Sequence, residues 1–462
     1  MATTTEAPEY IDPAINADPP AGERQLGLPM TTALVIGNMI GAGIFLLPAV
    51  LAPLGPNAIY GWLVTIAGAL FIAATLAILS AHIEGGPFAY VEEAFGPKFA
   101  FVVMWSYLVS IWTTVAVLPI AAVSNLSHVA PVLGHPIVAP LVSIGFAWLL
   151  MLVNATGARN AGSVQLVTSI LKALPLIAVV VVAAIYLGRG TATAHAMPVA
   201  VSTGSIAAAA SLALFSMLGS ESAVVSTDKV KNPRRNLPIA SVLGAALTGV
   251  IYLAATAAVL YLLPGKQAAV SPSPFADATQ PLIGPMAGSA IAIFAAISAL
   301  GCLNGWILCV GEVPLKLARD GTLPAWFAKT TGRGTPVRAQ LVGCVVGSVL
   351  IAMNYSRSLA SAFEFITLIA VVSTLVLYTG CAAAALVLFA RRGIGGIVLA
   401  GCAAVAFLFS IWSYWGAGRE ATLWGAALVA TGWPVWFIAQ RSRRVSASTS
   451  PPAEANQAAP RE

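Results

Sequence analysis

Charged side chains are scarce in this chain. Asp, Glu, Lys and Arg make up 9% of its 462 residues, where a soluble domain carries roughly 25%. Too little charge is present to cover a water-facing surface. Histidine is nearly absent as well. The four copies, His82, His128, His135 and His195, all fall in expected connections, which argues against a metal centre built on them and leaves them expected to be solvated. The five cysteines (Cys302, Cys309, Cys344, Cys381, Cys402) are odd in number, lie in apolar segments and form no CxxC pair. They read as packed free thiols, with no disulfide framework. No P-loop occurs, so ATP does not drive the protein directly. No convergent His, Asp and Glu cluster sits at membrane depth, which argues against an integral-membrane enzyme. A channel would need a charged ring or a filter motif, and neither is found. No cofactor and no nucleic-acid partner are expected. The first 25 residues lack the basic and apolar regions of a cleavable signal, so the first apolar span is expected to act as the insertion signal.

Long apolar runs are what is present. Hydrophobic residues reach 58% and the mean hydropathy is +0.88. Ala58 to Leu79 and Phe99 to Ser127 carry no charge at all. Each exceeds the ~20 residues a helix needs to cross a ~30 Å hydrocarbon core. Short dyad alternation is missing, so helices rather than a barrel satisfy the backbone in lipid. Twelve spans are expected, near 28–53, 59–80, 99–127, 137–154, 162–187, 204–226, 237–263, 283–312, 338–353, 362–389, 395–415 and 421–440. An even number puts both termini on one face. That face collects eighteen Lys and Arg against four on the other (Arg189, Lys266, Arg357 and Arg419), with Lys172 left inside a helix. Both termini are therefore expected in the cytoplasm, and the net charge of +6 is a topology signal. The lipid bilayer is the first partner this implies.

Two spans carry glycine in mid-segment. The first reads Gly37-Asn38-Met39-Ile40-Gly41-Ala42-Gly43-Ile44-Phe45, and the sixth reads Phe215-Ser216-Met217-Leu218-Gly219-Ser220-Glu221-Ser222-Ala223. Close packing through small residues would account for one such span. Two of them five apart in order match the interrupted helices that mark a transporter site at the membrane midplane. Half-helix N-termini offer N–H groups to a carboxylate, and opened carbonyls accept from an ammonium. A site of that kind suits the head of an amino acid.

These stretches resemble the amino acid–polyamine–organocation superfamily, and within it the basic amino acid/polyamine antiporters. The matching segments are Gly37–Pro48, Ile59–Leu70, Gly85–Tyr90, Gly219–Ala223, Val230–Ile239, Ser273–Ala278, Gly305–Trp306 and Ala318–Pro336, and the similarity runs from Leu26 to Gln440. The resemblance implies an all-α, LeuT-like membrane protein of twelve helices. Two inverted five-helix repeats (about 26–187 and 204–389) precede two further helices (395–440), with helices 1 and 6 broken. Residues 1–25 and 441–462 would be disordered cytoplasmic tails around a transporter domain at 26–440. The implied activity is antiport by alternating access in a bacterial inner membrane, of the type that exchanges arginine for agmatine. A homodimer is compatible with it.

Carried over residue by residue, the resemblance places the substrate carboxylate at the backbone of Gly41, Ala42 and Gly43. The α-ammonium falls at carbonyls near Met39, Phe215 and Leu218. Trp306 would lie over a cationic side chain, Phe215 would close over the substrate, Val115 and Ala370 would line the far end, and Ser110 and Ile111 would also bind the substrate. Tyr107, Glu221 and Tyr378 would close the cytoplasmic path. Ala42, Val115 and Ala370 replace polar residues of the pattern, so the far end is less polar than an arginine carrier wants.

Lys172 stands alone in an apolar fifth span. An intramembrane lysine is costly and faces the bundle interior. It reads either as a strut on the carbonyls of the broken first helix, or as a lysine that changes protonation during transport, as in proton-coupled relatives. Glu221 reads either as a satisfied acid or as a proton-sensitive gate. The alternative function is therefore proton-coupled or exchange transport of neutral amino acids.

Overall fold

The computed structural model describes residues 27–41, 43–156, 171–190, 197–219, 230–332, 334–354 and 356–439. The two tails, Ala42 and Glu221 lie outside the described residues. Sixteen α-helices are described: α1 Leu28–Met39, α2 Leu47–Leu51, α3 Asn57–His82, α4 Pro87–Phe95, α5 Pro97–Ser127, α6 Val138–Ala155, α7 Leu174–Gly188, α8 Thr203–Ser216, α9 Pro233–Leu262, α10 Gly265–Ala268, α11 Pro274–Ile283, α12 Pro285–Arg319, α13 Val337–Met353, α14 Leu359–Arg392, α15 Gly396–Ala417 and α16 Arg419–Ala430. A further helical stretch at 432–439 extends α16 into one span.

Among the described residues, eight helices are long and apolar enough to cross a membrane, and four shorter apolar helices lie within the other four expected spans. Two of the short ones, α1 and α8, are the halves that precede the breaks. The eighth and tenth spans run longer than expected. α12 continues through Pro314 to Arg319, and α14 reaches Arg392. The protein is thus an all-helical, multi-pass membrane protein.

α5 is the central pillar. Its sequence is apolar all round, as a helix buried on every side requires, and 94% of its membrane window is buried. It packs against α12 and α14. The last two spans sit outside. They expose Ile397, Leu408, Ile411, Trp415, Leu423, Trp433 and Phe437, a lipid-compatible surface.

One corner of the fold occurs twice. Pro87-Phe88-Ala89 opens α4, and Pro274-Phe275-Ala276 opens α11. Each short helix ends on a glycine with positive φ, Gly96 at 85° and Gly284 at 91°. A proline then starts the next span, Pro97 for α5 and Pro285 for α12. Glycine ends a helix by taking the left-handed conformation, and proline at the first position starts one. The first corner joins spans two and three, and the second joins spans seven and eight. The five-helix spacing of the two breaks therefore recurs in a second feature.

Candidate functional site

α1 ends at Met39, and Ile40 leaves the helix in an extended conformation. Gly41 (φ 110°) and Gly43 (φ 79°) follow in backbone conformations that residues with a Cβ seldom adopt. The Gly43 N–H donates to the Gly41 carbonyl at 2.8 Å, and the chain re-enters a helix at Leu47. In the sixth span α8 stops at Ser216. The Leu218 N–H turns back to the Phe215 carbonyl at 3.1 Å, and Gly219 has φ 108°. Both breaks thus fall on the glycines that pointed to them.

Side chains from three other spans close around the first break. A Cβ on Gly43 would stand 2.9 Å from the Phe215 ring and 2.9 Å from the Phe363 ring. These rings meet edge to face, 6.4 Å between centroids at 88°. Phe215 therefore brings the sixth span onto the first break, and Phe363 brings the tenth. A Cβ on Gly41 would meet the Ser298 carbonyl at 2.7 Å and Cys302 at 2.9 Å. Ser298, Cys302 and Trp306 are spaced four apart on α12, hence on one face. Trp306 is 7% exposed in the middle of a 35-residue helix, so it is not an interfacial anchor.

Two polar side chains brace the backbone just before the break. The Tyr252 hydroxyl donates to the Met39 carbonyl at 2.7 Å. The Lys172 ammonium donates to the Gly37 carbonyl at 3.1 Å from a fully buried position. A buried charge needs such partners, because leaving water unpaired costs several kcal/mol. Lys172 is the one buried charged side chain among the described residues. It ties the fifth span to the first.

The other expected residues divide into groups. The Ser110 hydroxyl is paired with Thr374 of α14, and Thr374 bonds to the Ala370 carbonyl at 3.0 Å. Ser110 and Ala370 thus share one α5–α14 contact. Ile111 and Leu218 are buried. Val115 packs on Gly347 of α13, where an added Cβ would meet it at 3.0 Å. Tyr107 and Tyr378 are buried on α5 and α14. The expectation that every histidine is solvated fails at His128. Its side chain is 12% exposed and pairs with Asp277 of α11 at 3.0 Å, because the linker helix folds over the C-terminal end of α5.

Tyr252, Phe363, Ser298 and Thr374 are the residues that sequence reasoning did not find. Tyr252 left one trace, a phenol in the middle of an apolar span. Phe363 left none, since a phenylalanine in a membrane helix is unremarkable until its neighbours are known.

The arrangement holds an opened backbone between aromatic rings, with one ammonium behind it. A separate cavity of about 310 Å³ lies between α5, α14 and α16, lined by Phe101, Trp105, Val376 and Trp433 among others. Its apolar walls offer little to a charged group.

Residues 26–439 match the family model described as amino acid permease. The chain is 33% identical over 363 residues to the cadaverine/lysine antiporter of Escherichia coli (strain K12), covering 77% of this chain and 82% of the relative. It is 28% identical over 427 residues to the putrescine transporter PotE of the same organism, covering 90% of this chain and 97% of the relative. The putrescine transporter PotE of Haemophilus influenzae is 29% identical over 422 residues, with the same shares covered.

Proposed function

Because this chain belongs to the amino acid permease family of the amino acid–polyamine–organocation superfamily, and is a membrane transporter rather than an enzyme, we propose that it exchanges a cationic amino acid for the amine left by its decarboxylation. The exchange runs by alternating access across a bacterial inner membrane, with both termini in the cytoplasm. The relatives named for lysine, cadaverine and putrescine favour an aliphatic amine. Arginine and agmatine remain the second pair, with a weaker case: the far end of the pocket carries Ala370, and Val115 faces α13.

The observation that carries this reading is the enclosure of the first break. Gly41 and Gly43 present backbone between Phe215, Phe363 and the α12 face that holds Trp306. The carboxylate of an amino acid suits the Gly41–Gly43 turn. Its ammonium suits the carbonyls at the ends of α1 and α8. A side-chain cation under Trp306 gains ~0.5–2 kcal/mol from the indole face. A diamine keeps the cation–π contact and gives up the carboxylate contact, as an exchange product should.

The second reading, proton-coupled carriage of neutral amino acids, is favoured by Lys172. Its ammonium sits on the Gly37 carbonyl, and a change of protonation there would act directly on the broken helix. Counterflow in proteoliposomes separates the two. Vesicles preloaded with lysine should take up labelled lysine, cadaverine and putrescine. Uptake of alanine, leucine or methionine alone would sink the antiport assignment.

A further inference from the structure

Helical serines and threonines in this protein mostly return their hydroxyls to a carbonyl three or four residues back. Thr75, Thr113, Thr114, Ser143, Ser211 and Ser373 are examples. Ser216, Ser298, Thr367 and Thr379 depart from this pattern on other helices, and α9 carries three exceptions in one row. Ser241, Thr248 and Thr256 are 2%, 0% and 0% exposed, yet none of their hydroxyls has a protein partner. Spacings of seven and eight put all three on one helical face, and Tyr252 falls between Thr248 and Thr256 on that face. From Ser241 to Thr256 the row runs about 22 Å at 1.5 Å per residue, most of a ~30 Å hydrocarbon core.

The row has a facing wall. Gly244 of α9 packs on Val35 of α1, and Gly249 packs on Ile66 of α3. The Tyr252 direction lies between these two, so the hydroxyls face the seam where α1, α3 and α9 meet. Trp62 of α3 stands across it, edge-on to the Tyr252 ring at 5.8 Å. Its indole N–H is also unpartnered, and the residue is fully buried. Four orphan polar groups from two helices therefore line one seam. Buried groups of this kind are satisfied by internal water when protein supplies no partner.

We infer that the seam between α1, α3 and α9 holds a file of internal waters, which carries protons to the braced end of the broken first helix. The file passes Ser241 on the inner half and Thr248 near the middle. It then reaches Tyr252, whose hydroxyl holds the Met39 carbonyl, and continues past Thr256 and Trp62. Each transfer breaks one O–H bond and forms another, from water to water or hydroxyl, so no further reactant is consumed. The titratable groups around it are Tyr252 on α9 itself, Cys302 on α12, and Lys172 behind the Gly37 carbonyl. Asp277, paired with His128, stands at the outer end on α11, and Arg235 stands at the inner end of α9. The break thus has a proton supply separate from the substrate path, whichever substrate is carried.

X-ray hydroxyl-radical footprinting of the full-length protein in nanodiscs tests the water file, because bound water makes radicals in place. Trp62 and Tyr252, both 0% exposed, should oxidise several-fold faster than Met104 and Met151, which are 8% and 4% exposed. The Thr248→Val/Thr256→Val double variant should bring Trp62 down to the methionine level. It should also slow substrate-driven proton movement, read with a pH dye inside proteoliposomes, while labelled-substrate exchange persists. The Thr248→Ser/Thr256→Ser pair keeps the hydroxyls and should restore both signals, which separates lost water from poor folding. Trp62 oxidising no faster than Met104 would overturn the file. Unchanged proton movement in the valine variant would overturn its role, as would transport with no proton movement at all. Exchange of labelled substrate would survive each of those results.

Discussion

Replacing each break glycine with alanine should cause two different kinds of damage. Both positions have φ well above zero, at 110° for Gly41 and 79° for Gly43. Holding a Cβ-bearing residue in such backbone costs on the order of 1–3 kcal/mol. The new methyl then meets different neighbours. At Gly43 it lands 2.9 Å from the outer edges of the Phe215 and Phe363 rings. At Gly41 it lands 2.7 Å from the Ser298 backbone carbonyl, which cannot swing away. Overpacking adds roughly 1–3 kcal/mol, so each single variant should lose about 2–6 kcal/mol. Adding Phe363→Leu should recover about half of the packing share for Gly43→Ala, since the Phe215 ring stays 2.9 Å from the new methyl, and nothing for Gly41→Ala. The assay is a double-mutant cycle on unfolding in mixed micelles, with substrate binding read in parallel. A coupling of about 0.5–1.5 kcal/mol between positions 43 and 363, half of the overpacking term, and near zero between 41 and 363, is the expected result. Equal coupling at both positions, or none at 43, would refute the packing of the break described here.

Three further outcomes follow from the same geometry. Tyr252→Phe removes the donor to the Met39 carbonyl and should cost ~1–3 kcal/mol of stability, read as a lower unfolding midpoint; an unchanged midpoint would mean that the bond contributes nothing. Lys172→Met should lose more stability than Lys172→Gln, because glutamine can still donate to the Gly37 carbonyl; if Lys172→Gln also leaves the pH profile of transport intact, the proton-coupling role of Lys172 fails. Trp306→Leu should weaken binding of cationic substrates about two- to thirtyfold, the equivalent of ~0.5–2 kcal/mol, with little effect on a neutral amino acid; equal losses for both would remove Trp306 from cation recognition.

Much of this fold was legible in the chain because lipid allows so few solutions. Long uncharged runs had to be helices, and each of the twelve expected spans holds an apolar helix among the described residues. The breaks were legible because glycine leaves a mark: Gly41, Gly43 and Gly219 each take a positive φ. Span ends were harder. Lys316 and Arg319 read as a connection, yet α12 carries them to its last turn, since a helix can pass the bilayer edge at little cost. Contacts between spans left the least trace. Val115 lies against Gly347, and only the packing of α5 on α13 reveals that neighbour. The Phe215–Phe363 pair joins residues 148 apart in sequence, and no local pattern announces such a partner. The Pro-Phe-Ala corner at 87 and 274 was visible in the letters, but its meaning depended on seeing both copies close with Gly-Pro.

The claim that the two breaks form one substrate site is tested most directly by determining the structure with lysine or cadaverine bound. The account predicts ligand density against Gly43, between Phe215 and the Trp306 face of α12, with the lysine carboxylate at the Gly41–Gly43 turn. Density in the apolar cavity between α5, α14 and α16, with none at the breaks, would contradict it.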